Sequence, residues 1–221
     1  MDLTSQINAG ARRVPTWGVY LVGFLWSAWL LWQATSGGLG VDPVKGLEHA
    51  LGKLGLQILL GGLCITPLRK YSGINLVRFR RALGLTAFYY IVLHFLSWLV
   101  LDMGLLVAQA LGDIIKRPYI TIGMAGLVLL IPLAMTSNNQ MVRRLGAARW
   151  QRLHKLTYPA VILGALHYLW LVKAWPLEPV LYLLAAIGLV GIRYIGVLSA
   201  ALREIGSKRP LESPQDSAES R

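Results

Sequence analysis

The sequence predicts an all-α protein, a bundle of six membrane-spanning helices with both termini on the cytoplasmic side. Hydrophobic residues make up 55% of the 221 residues and charged residues only 14%, too few to cover a water-facing surface. The apolar residues also occur in blocks that approach the roughly 20 residues needed to cross a bilayer. Because lipid offers no partner for backbone polar groups, these blocks should be helical.

Six apolar blocks define the helices. Pro118 suits the first turn of the fourth helix, and Pro132 predicts a kink in it. The second helix is expected to end near Pro67. It should follow a Gly-, Pro- and Asp-containing loop over residues 36–46, which has no helical period. The predicted ranges are 15–35, 47–68, 82–101, 118–136, 154–172 and 177–198.

These helices divide the chain into three parts. Residues 1–14 form a cytoplasmic N-terminus, residues 15–200 the transmembrane domain, and residues 201–221 a polar cytoplasmic tail predicted to be disordered. The first helix is longer than a typical signal-peptide core, so we expect it to be retained.

Basic residues set the orientation, because cytoplasmic loops carry an excess of Lys and Arg. The alternate loops hold only Lys45, Lys116, Arg117 and Lys173. Both termini are therefore expected inside, and the third and fifth helices run from inside to outside. This distribution accounts for the net charge of +12 without a nucleic-acid partner. The inner cluster comprises Arg12, Arg13, Arg69, Lys70, Arg78, Arg80, Arg81, Arg143, Arg144, Arg149, Arg152, Lys155, Arg193, Arg203, Lys208, Arg209 and Arg221.

Two histidines are predicted to meet at one depth in the membrane. His94 and His167 each lie roughly 20 Å from the inner end of a helix, at 1.5 Å per residue. Ionisable residues inside a membrane are functional candidates. Two neutral imidazoles on two helices suit the axial positions of a b-type haem iron. The alternative is that each histidine hydrogen-bonds between helices as part of the packing.

His154 lies at the inner interface, and two interpretations stay open for it. It either extends to the headgroup region or binds a second, inner haem. No histidine faces it from the third helix, which carries Arg80 and Arg81 at that level. A guanidinium there could instead pair with a haem propionate or an anionic flavin phosphate.

His49 falls at the outer end of the second helix. It is either an interfacial structural residue or a proton or quinone partner near the periplasmic face. Lys53, one turn later, either meets a haem propionate or extends to the interface.

Long loop motifs carry a resemblance to a known family. From about Trp17 to Tyr194 the chain resembles the MsrQ family, formerly YedZ, of the ferric-reductase-like transmembrane group. That group carries paired histidines on its third and fifth helices. This chain departs from it at Arg80 and Arg81, where the group has its inner histidine. The motifs are GGLGVDPVKGLEHALGK, ITPLRKY, RFRRALGL followed by LH, RPYITIG and TSNNQMVRRLGAARWQRLHKLTYPAVILGALHYLW.

The resemblance implies an electron-transfer subunit of the bacterial inner membrane, with no catalytic residues of its own. Such a protein takes electrons from the quinone pool and gives them to the periplasmic molybdoenzyme MsrP, which reduces methionine sulfoxide in oxidised proteins. A cytosolic flavin reductase is a further candidate partner. The implied cofactors are haem b, in one copy or two, and FMN.

Other functions remain to be distinguished. A ferric reductase, or a cytochrome b anchor for another periplasmic oxidoreductase, would carry the same histidines. A transporter would need charged residues at mid-membrane depth, and these spans hold almost none besides histidine. A structural assembly factor would not absorb visible light. The chain offers no large soluble segment for an NADPH-binding Rossmann unit, so the donor should be membrane-soluble or a separate protein.

Overall fold

The computed structural model describes residues 2–172 and 176–207, with the backbone alone for residues 196–207. Over these residues the protein is all-helical and contains no strand, as predicted. A 3₁₀ turn, Val77–Phe79, precedes α4, and a π-helical segment, Ser97–Asp102, follows it. The helices are α1 Leu3–Arg13, α2 Trp17–Thr35, α3 Pro43–Ser72, α4 Arg80–Leu96, α5 Val107–Lys116, α6 Pro118–Met135, α7 Asn139–Leu145, α8 Ala147–His154, α9 Thr157–Leu171 and α10 Leu177–Ser207.

Several helices are long and apolar enough to cross a membrane. Within the described residues they number four: α3, the segment Val77–Asp102, α6, and Leu177–Ile195 of α10. A fifth is added if α1 and α2, which meet at 76°, count as one bent span. At 15 residues α9 is shorter than the roughly 20 residues a full crossing needs. The structure thus confirms a helical membrane protein, while the six-span count stays a prediction.

Helix α3 is longer at both ends than predicted. It begins at Pro43, because the Asp42 side chain accepts a hydrogen bond from the Lys45 backbone N–H at 3.0 Å and caps the first turn. The prediction of a loop through residue 46 is therefore wrong. The helix also continues through Pro67 and ends at Ser72, where Gly73 has a φ of +71°. The expected end near Pro67 is wrong as well.

The fifth predicted helix is divided near its start. Helix α8 ends at His154, and α9 begins only at Thr157, with Pro159 in its first turn. Proline is tolerated there because the first N–H groups of a helix have no intrahelical partner. His154 and His167 therefore lie on different helices, and ideal helical geometry does not relate them.

The C-terminal end also differs from expectation. Helix α10 continues to Ser207, beyond the predicted end of the last span at residue 198. The rest of the predicted disordered tail, residues 208–221, lies outside the described residues, as does Lys173.

The core lies where α3, α4, α6 and α9 meet. Helix α3 packs along α4, and α6 packs along α9. Ala87, Val161 and Ala165 are fully buried between these pairs. Helix α2 joins the bundle through Tyr90, whose hydroxyl donates to the Gly23 carbonyl at 2.7 Å. Four helices thus enclose the space in which the histidines lie.

Helix α1 is attached to the loop between α3 and α4. The Asn8 side chain donates to the Gly73 carbonyl at 3.1 Å and accepts from the Asn75 backbone N–H at 2.8 Å. Arg78 donates to the Arg12 carbonyl at the end of α1 at 2.6 Å. The sequence predicted no helix here.

Candidate functional site

Two cavities lie at opposite ends of the four-helix core. The outer cavity, of about 340 Å³, lies where α3 begins and α9 ends. The inner cavity, of about 910 Å³, lies where α3 ends and α9 begins. The buried side chains of Leu59 and Leu130 line both cavities and lie between them.

His94 and His167 line the outer cavity from α4 and α9. The His94 Nδ1 lies 2.8 Å from the Glu48 carbonyl oxygen, and the His167 Nδ1 lies 2.7 Å from the Tyr119 carbonyl oxygen. A carbonyl can only accept, so both Nδ1 atoms carry the proton and both Nε2 atoms keep their lone pair. A ring nitrogen bonded to a backbone carbonyl is the usual support of a metal-binding histidine.

The two rings are spaced as the axial ligands of one metal would be. Their centroids are 6.1 Å apart and their planes meet at 67°. When two imidazoles bind one metal, each ring nitrogen lies about 2 Å from the metal and about 1 Å from the centre of its own ring. The two ring centres are then about 6 Å apart. The described residues contain no group of three His, Cys, Asp or Glu side chains that could hold a metal ion. The pair therefore fits haem, since the porphyrin supplies the other four ligands.

A glycine lies under each ring. A Cβ added at Gly52 would lie 3.0 Å from the His94 Nδ1, and one at Gly123 would lie 2.8 Å from the His167 Nδ1. Gly52 lies four residues after Glu48, and Gly123 lies four residues after Tyr119. In both cases the earlier residue supplies the carbonyl that accepts the histidine N–H, so α3 and α6 support the two rings in the same way. Neither glycine was predicted from the sequence.

Three cations around the outer cavity are paired with carboxylates. Lys45 lies 2.6 Å from Asp102 and 3.4 Å from the buried Glu48. Arg117 lies 3.3 Å from Asp113. Lys53 forms an ion pair with Glu178, rather than standing free for a propionate. His49 is exposed and lines the cavity mouth.

The inner cavity brings together the other predicted residues, His154, Arg80 and Arg81. The His154 Nε2 lies 3.2 Å from the Thr136 hydroxyl, and its ring stacks on Trp150 at 3.9 Å. Burial lowers the pKa of His154 from its ordinary value, and the two arginines lower it further. Both effects favour the neutral imidazole, which is the form that binds metals.

Among the residues that the structure describes, His154 is the one histidine that lines the inner cavity. Arg193 also lines it, although the sequence indicated this residue only as one of the basic charges of the inner side.

Comparison with known proteins identifies the family. Residues 49–165 match the family described as ferric reductase like transmembrane component. An MsrQ protein of Agrobacterium fabrum is 46% identical over 197 residues, which cover 89% of this chain and 91% of that protein. An MsrQ protein of Brucella anthropi is 51% identical over 166 residues, 75% of each chain. The chain belongs to the MsrQ family. No solved structure matches it.

Membership of the MsrQ family confirms the resemblance given by the loop motifs. Both relatives are named as the heme-binding subunit of a protein-methionine-sulfoxide reductase. The ferric-reductase match includes His49, His94 and His154 and ends at residue 165, just before His167.

Proposed function

We propose that this protein is a membrane electron-transfer subunit that binds b-type haem between His94 and His167. The observation that carries the proposal is the facing pair of imidazoles, 6.1 Å apart, with both Nδ1 atoms bonded to backbone carbonyls. Histidines that served only in packing would not need to line one cavity at the spacing of two ligands of one metal. The names of the MsrQ relatives support the same cofactor.

The protein's part in this chemistry is to bind, orient and exclude water. The carbonyls of Glu48 and Tyr119 fix the ring tautomers, and Gly52 and Gly123 let the rings lie close to α3 and α6. The cavity wall is mainly apolar, which keeps the site at low dielectric. Haem bound there supplies a one-electron carrier.

The proposed path of electrons runs from the quinone pool, across the bacterial inner membrane, to the periplasmic enzyme MsrP. A six-span topology with cytoplasmic termini places the outer cavity near the periplasm, where a partner can dock. Basic residues at the opposite end support this orientation. The relatives' assignment to a methionine-sulfoxide reductase supports that partner. His49, at the mouth, is a candidate contact for quinone or partner.

The inner cavity is proposed to hold a second redox cofactor. Either FMN or a second haem with His154 as one ligand would fit a space of about 910 Å³ lined by aromatic and basic side chains. Electrons from quinone or from a cytosolic flavin reductase would then enter at this end. Leu59 and Leu130 form a thin apolar layer between the two sites.

Visible spectroscopy tests the proposal directly. Protein purified in detergent from haem-replete cells should show a sharp b-type α-band after dithionite reduction, with haem quantified per chain. A colourless but folded protein would exclude the haem function. Mixing the reduced protein with MsrP and methionine sulfoxide should reoxidise it.

A ferric reductase is the second candidate, supported by the family match over residues 49–165. The same reduced protein should then be reoxidised faster by a ferric chelate than by MsrP with methionine sulfoxide. A cytochrome b anchor for another periplasmic oxidoreductase would respond to neither oxidant.

A further inference from the structure

The half-buried side chain of Arg193 is held by contacts with two neighbouring helices. Its Nη2 donates to the Leu63 carbonyl at 2.9 Å and to the Thr66 hydroxyl at 3.0 Å. Its Nη1 donates to the Tyr158 hydroxyl at 3.2 Å, and the guanidinium lies 5.4 Å from the centre of that ring. These contacts come from α3 and α9 and fix the group in one position. An arginine that only sets the orientation of the chain in the membrane, from a flexible loop, would not need these contacts.

The remaining hydrogen-bonding capacity of Arg193 is unused. A guanidinium has five N–H donors. The Nε atom is buried and has no hydrogen-bond partner among the described residues. No carboxylate forms an ion pair with Arg193 in that part of the chain. A buried donor without a partner on a half-buried cation is costly, and an anion at this position would supply both the acceptor and the counter-charge.

The exposed Arg80 lines the same cavity. Its side chain forms no hydrogen bond or ion pair with the side chains and backbone that the structure describes. Two like charges facing one space are stabilised when an anion binds between them. Planar guanidiniums suit phosphate and carboxylate oxygens, which they contact through two parallel N–H groups.

The composition of the cavity lining supports the same conclusion. The described residues that line the inner cavity include no Asp or Glu. Around the outer cavity, in contrast, Lys45, Lys53 and Arg117 each have a carboxylate partner. The fold therefore pairs the cations of the outer cavity with its own carboxylates. The cations of the inner cavity stay available to a ligand. The basic residues of the inner lining are Lys70, Arg78, Arg80, Arg81, Lys155 and Arg193.

Flat apolar surfaces lie beside these charges. Phe88, Trp150 and Tyr158 line the inner cavity, and Trp150 already stacks on His154. A ligand that fits would combine an aromatic ring system with a doubly charged anionic group. Arg78 is less suitable for that group, since it already donates to the carbonyl of Arg12.

We propose that Arg80 and Arg193 form a two-guanidinium site for the dianionic group of a planar cofactor in the inner cavity. That group is either a phosphate monoester, as in a flavin mononucleotide, or a pair of propionate carboxylates. The inference deepens the proposed electron-transfer function and rests on it for the nature of the occupant.

The test compares Arg80→Gln, Arg193→Gln and Arg193→Lys with the control Arg152→Gln. Arg152 is an exposed arginine of α8 at the same end of the bundle, outside the cavity lining. Haem and flavin per chain are measured on each purified protein, and FMN is then titrated by fluorescence quenching. Loss of a charge-assisted contact should weaken binding by about ten-fold to a hundred-fold. Arg193→Lys should recover only part of this loss, because it keeps the charge but not the planar fork.

The outcomes separate the two sources of the anion. Loss of flavin affinity with constant haem assigns the pair to a phosphate. A fall from two haems to one, with flavin unchanged, assigns it to propionates. Arg80→Gln keeps the test valid if Arg193→Gln does not fold, because the exposed Arg80 side chain has no partner among the described residues.

Three results would overturn the inference. The arginine variants could match Arg152→Gln in cofactor content and FMN affinity. The wild-type protein could hold one haem, no flavin and no added FMN. Alternatively, co-purified phospholipid could fall while haem and flavin stay constant, which would assign the pair to a lipid headgroup. A wild-type protein without haem would instead reject the proposed function, and the FMN titration would still decide the role of the arginines.

Discussion

At the residue scale, His94 and His167 differ from His154 in what their ring nitrogens contact. The first two line the outer cavity and donate from Nδ1 to backbone carbonyls. In His154 the Nε2 atom contacts the Thr136 hydroxyl. We therefore expect His94→Ala and His167→Ala each to abolish the outer haem, and His154→Ala to retain it. Haem per chain and the reduced spectrum of the purified variants measure this.

One result from the three variants would contradict this assignment. If His154→Ala lost all haem while staying folded, the assignment of His94 and His167 to a separate site would be wrong. Size-exclusion profiles in detergent provide the control for folding.

The meeting of His94 and His167 could be predicted from sequence because the rise per residue of an α-helix is constant. Their backbone partners could not, since these depend on which helix packs beside each ring. Gly52 and Gly123 were missed for the same reason. Arg193 was missed because the positive-inside rule explains a basic residue at that end equally well.

At the element scale, α3 and α6 each support one histidine ring through a glycine. In Gly52→Ala the new Cβ would lie 3.0 Å from the His94 Nδ1, and in Gly123→Ala 2.8 Å from that of His167. Each substitution should displace the ring or separate the helices, and so lower haem retention and shift the reduction potential. Potentiometric titration with haem quantification measures both effects, and we expect the larger one for Gly123→Ala.

Gly61→Ala is the matched control, because nothing lies within 4 Å of a Cβ at that position of α3. Alanine is favoured over glycine inside a helix by about 1 kcal/mol, so the control should be at least as stable as the wild type. Equal haem content and potential in Gly52→Ala, Gly123→Ala and Gly61→Ala would refute the supporting role of the glycines.

Asn8 contributes two hydrogen bonds to the attachment of helix α1, since it both donates to Gly73 and accepts from Asn75. Asn8→Ala should weaken this attachment by about 1 kcal/mol, or about five-fold in local opening. Trypsin should then cleave at Arg12 or Arg13 about five times faster in detergent, when opening is fast relative to cleavage. Mass spectrometry of the released N-terminal peptide gives the rate.

Gln6→Ala serves as the control for this experiment, since Gln6 is exposed on the same helix. Equal cleavage rates in Asn8→Ala and Gln6→Ala would show that the side chain does not hold α1 in place.

The sequence predicted the long apolar helices but not α1, α5, α7 and α8. Hydropathy detects segments that enter lipid, whereas these short helices carry polar faces and resemble loops over a window of twenty residues. Pro67 misled the prediction for a different reason. A proline was expected to end the helix, but in a membrane bundle neighbouring groups can satisfy the carbonyl that it leaves free.

At the scale of the whole molecule, the two cavities lie at opposite ends of the bundle, with Leu59 and Leu130 between them. The outer end has ion-paired cations and three histidines, and the inner end has one histidine and arginines without a carboxylate partner among the described residues. This asymmetry gives the molecule a direction. An anionic cofactor and its electron donor suit the basic end, and a docked acceptor suits the end with the paired histidines.

That direction depends on the orientation of the chain in the membrane. We expect the loop containing Val41 to face the periplasm and α7, with Gln140, to face the cytoplasm, because the basic residues collect on the side of α7 and α8. Both residues are exposed, and the natural Cys64 can be replaced by alanine. In intact cells a membrane-impermeant maleimide should label Val41→Cys, and it should label Gln140→Cys only after lysis. The reverse pattern would place the outer cavity beside the cytoplasm and exclude a periplasmic acceptor.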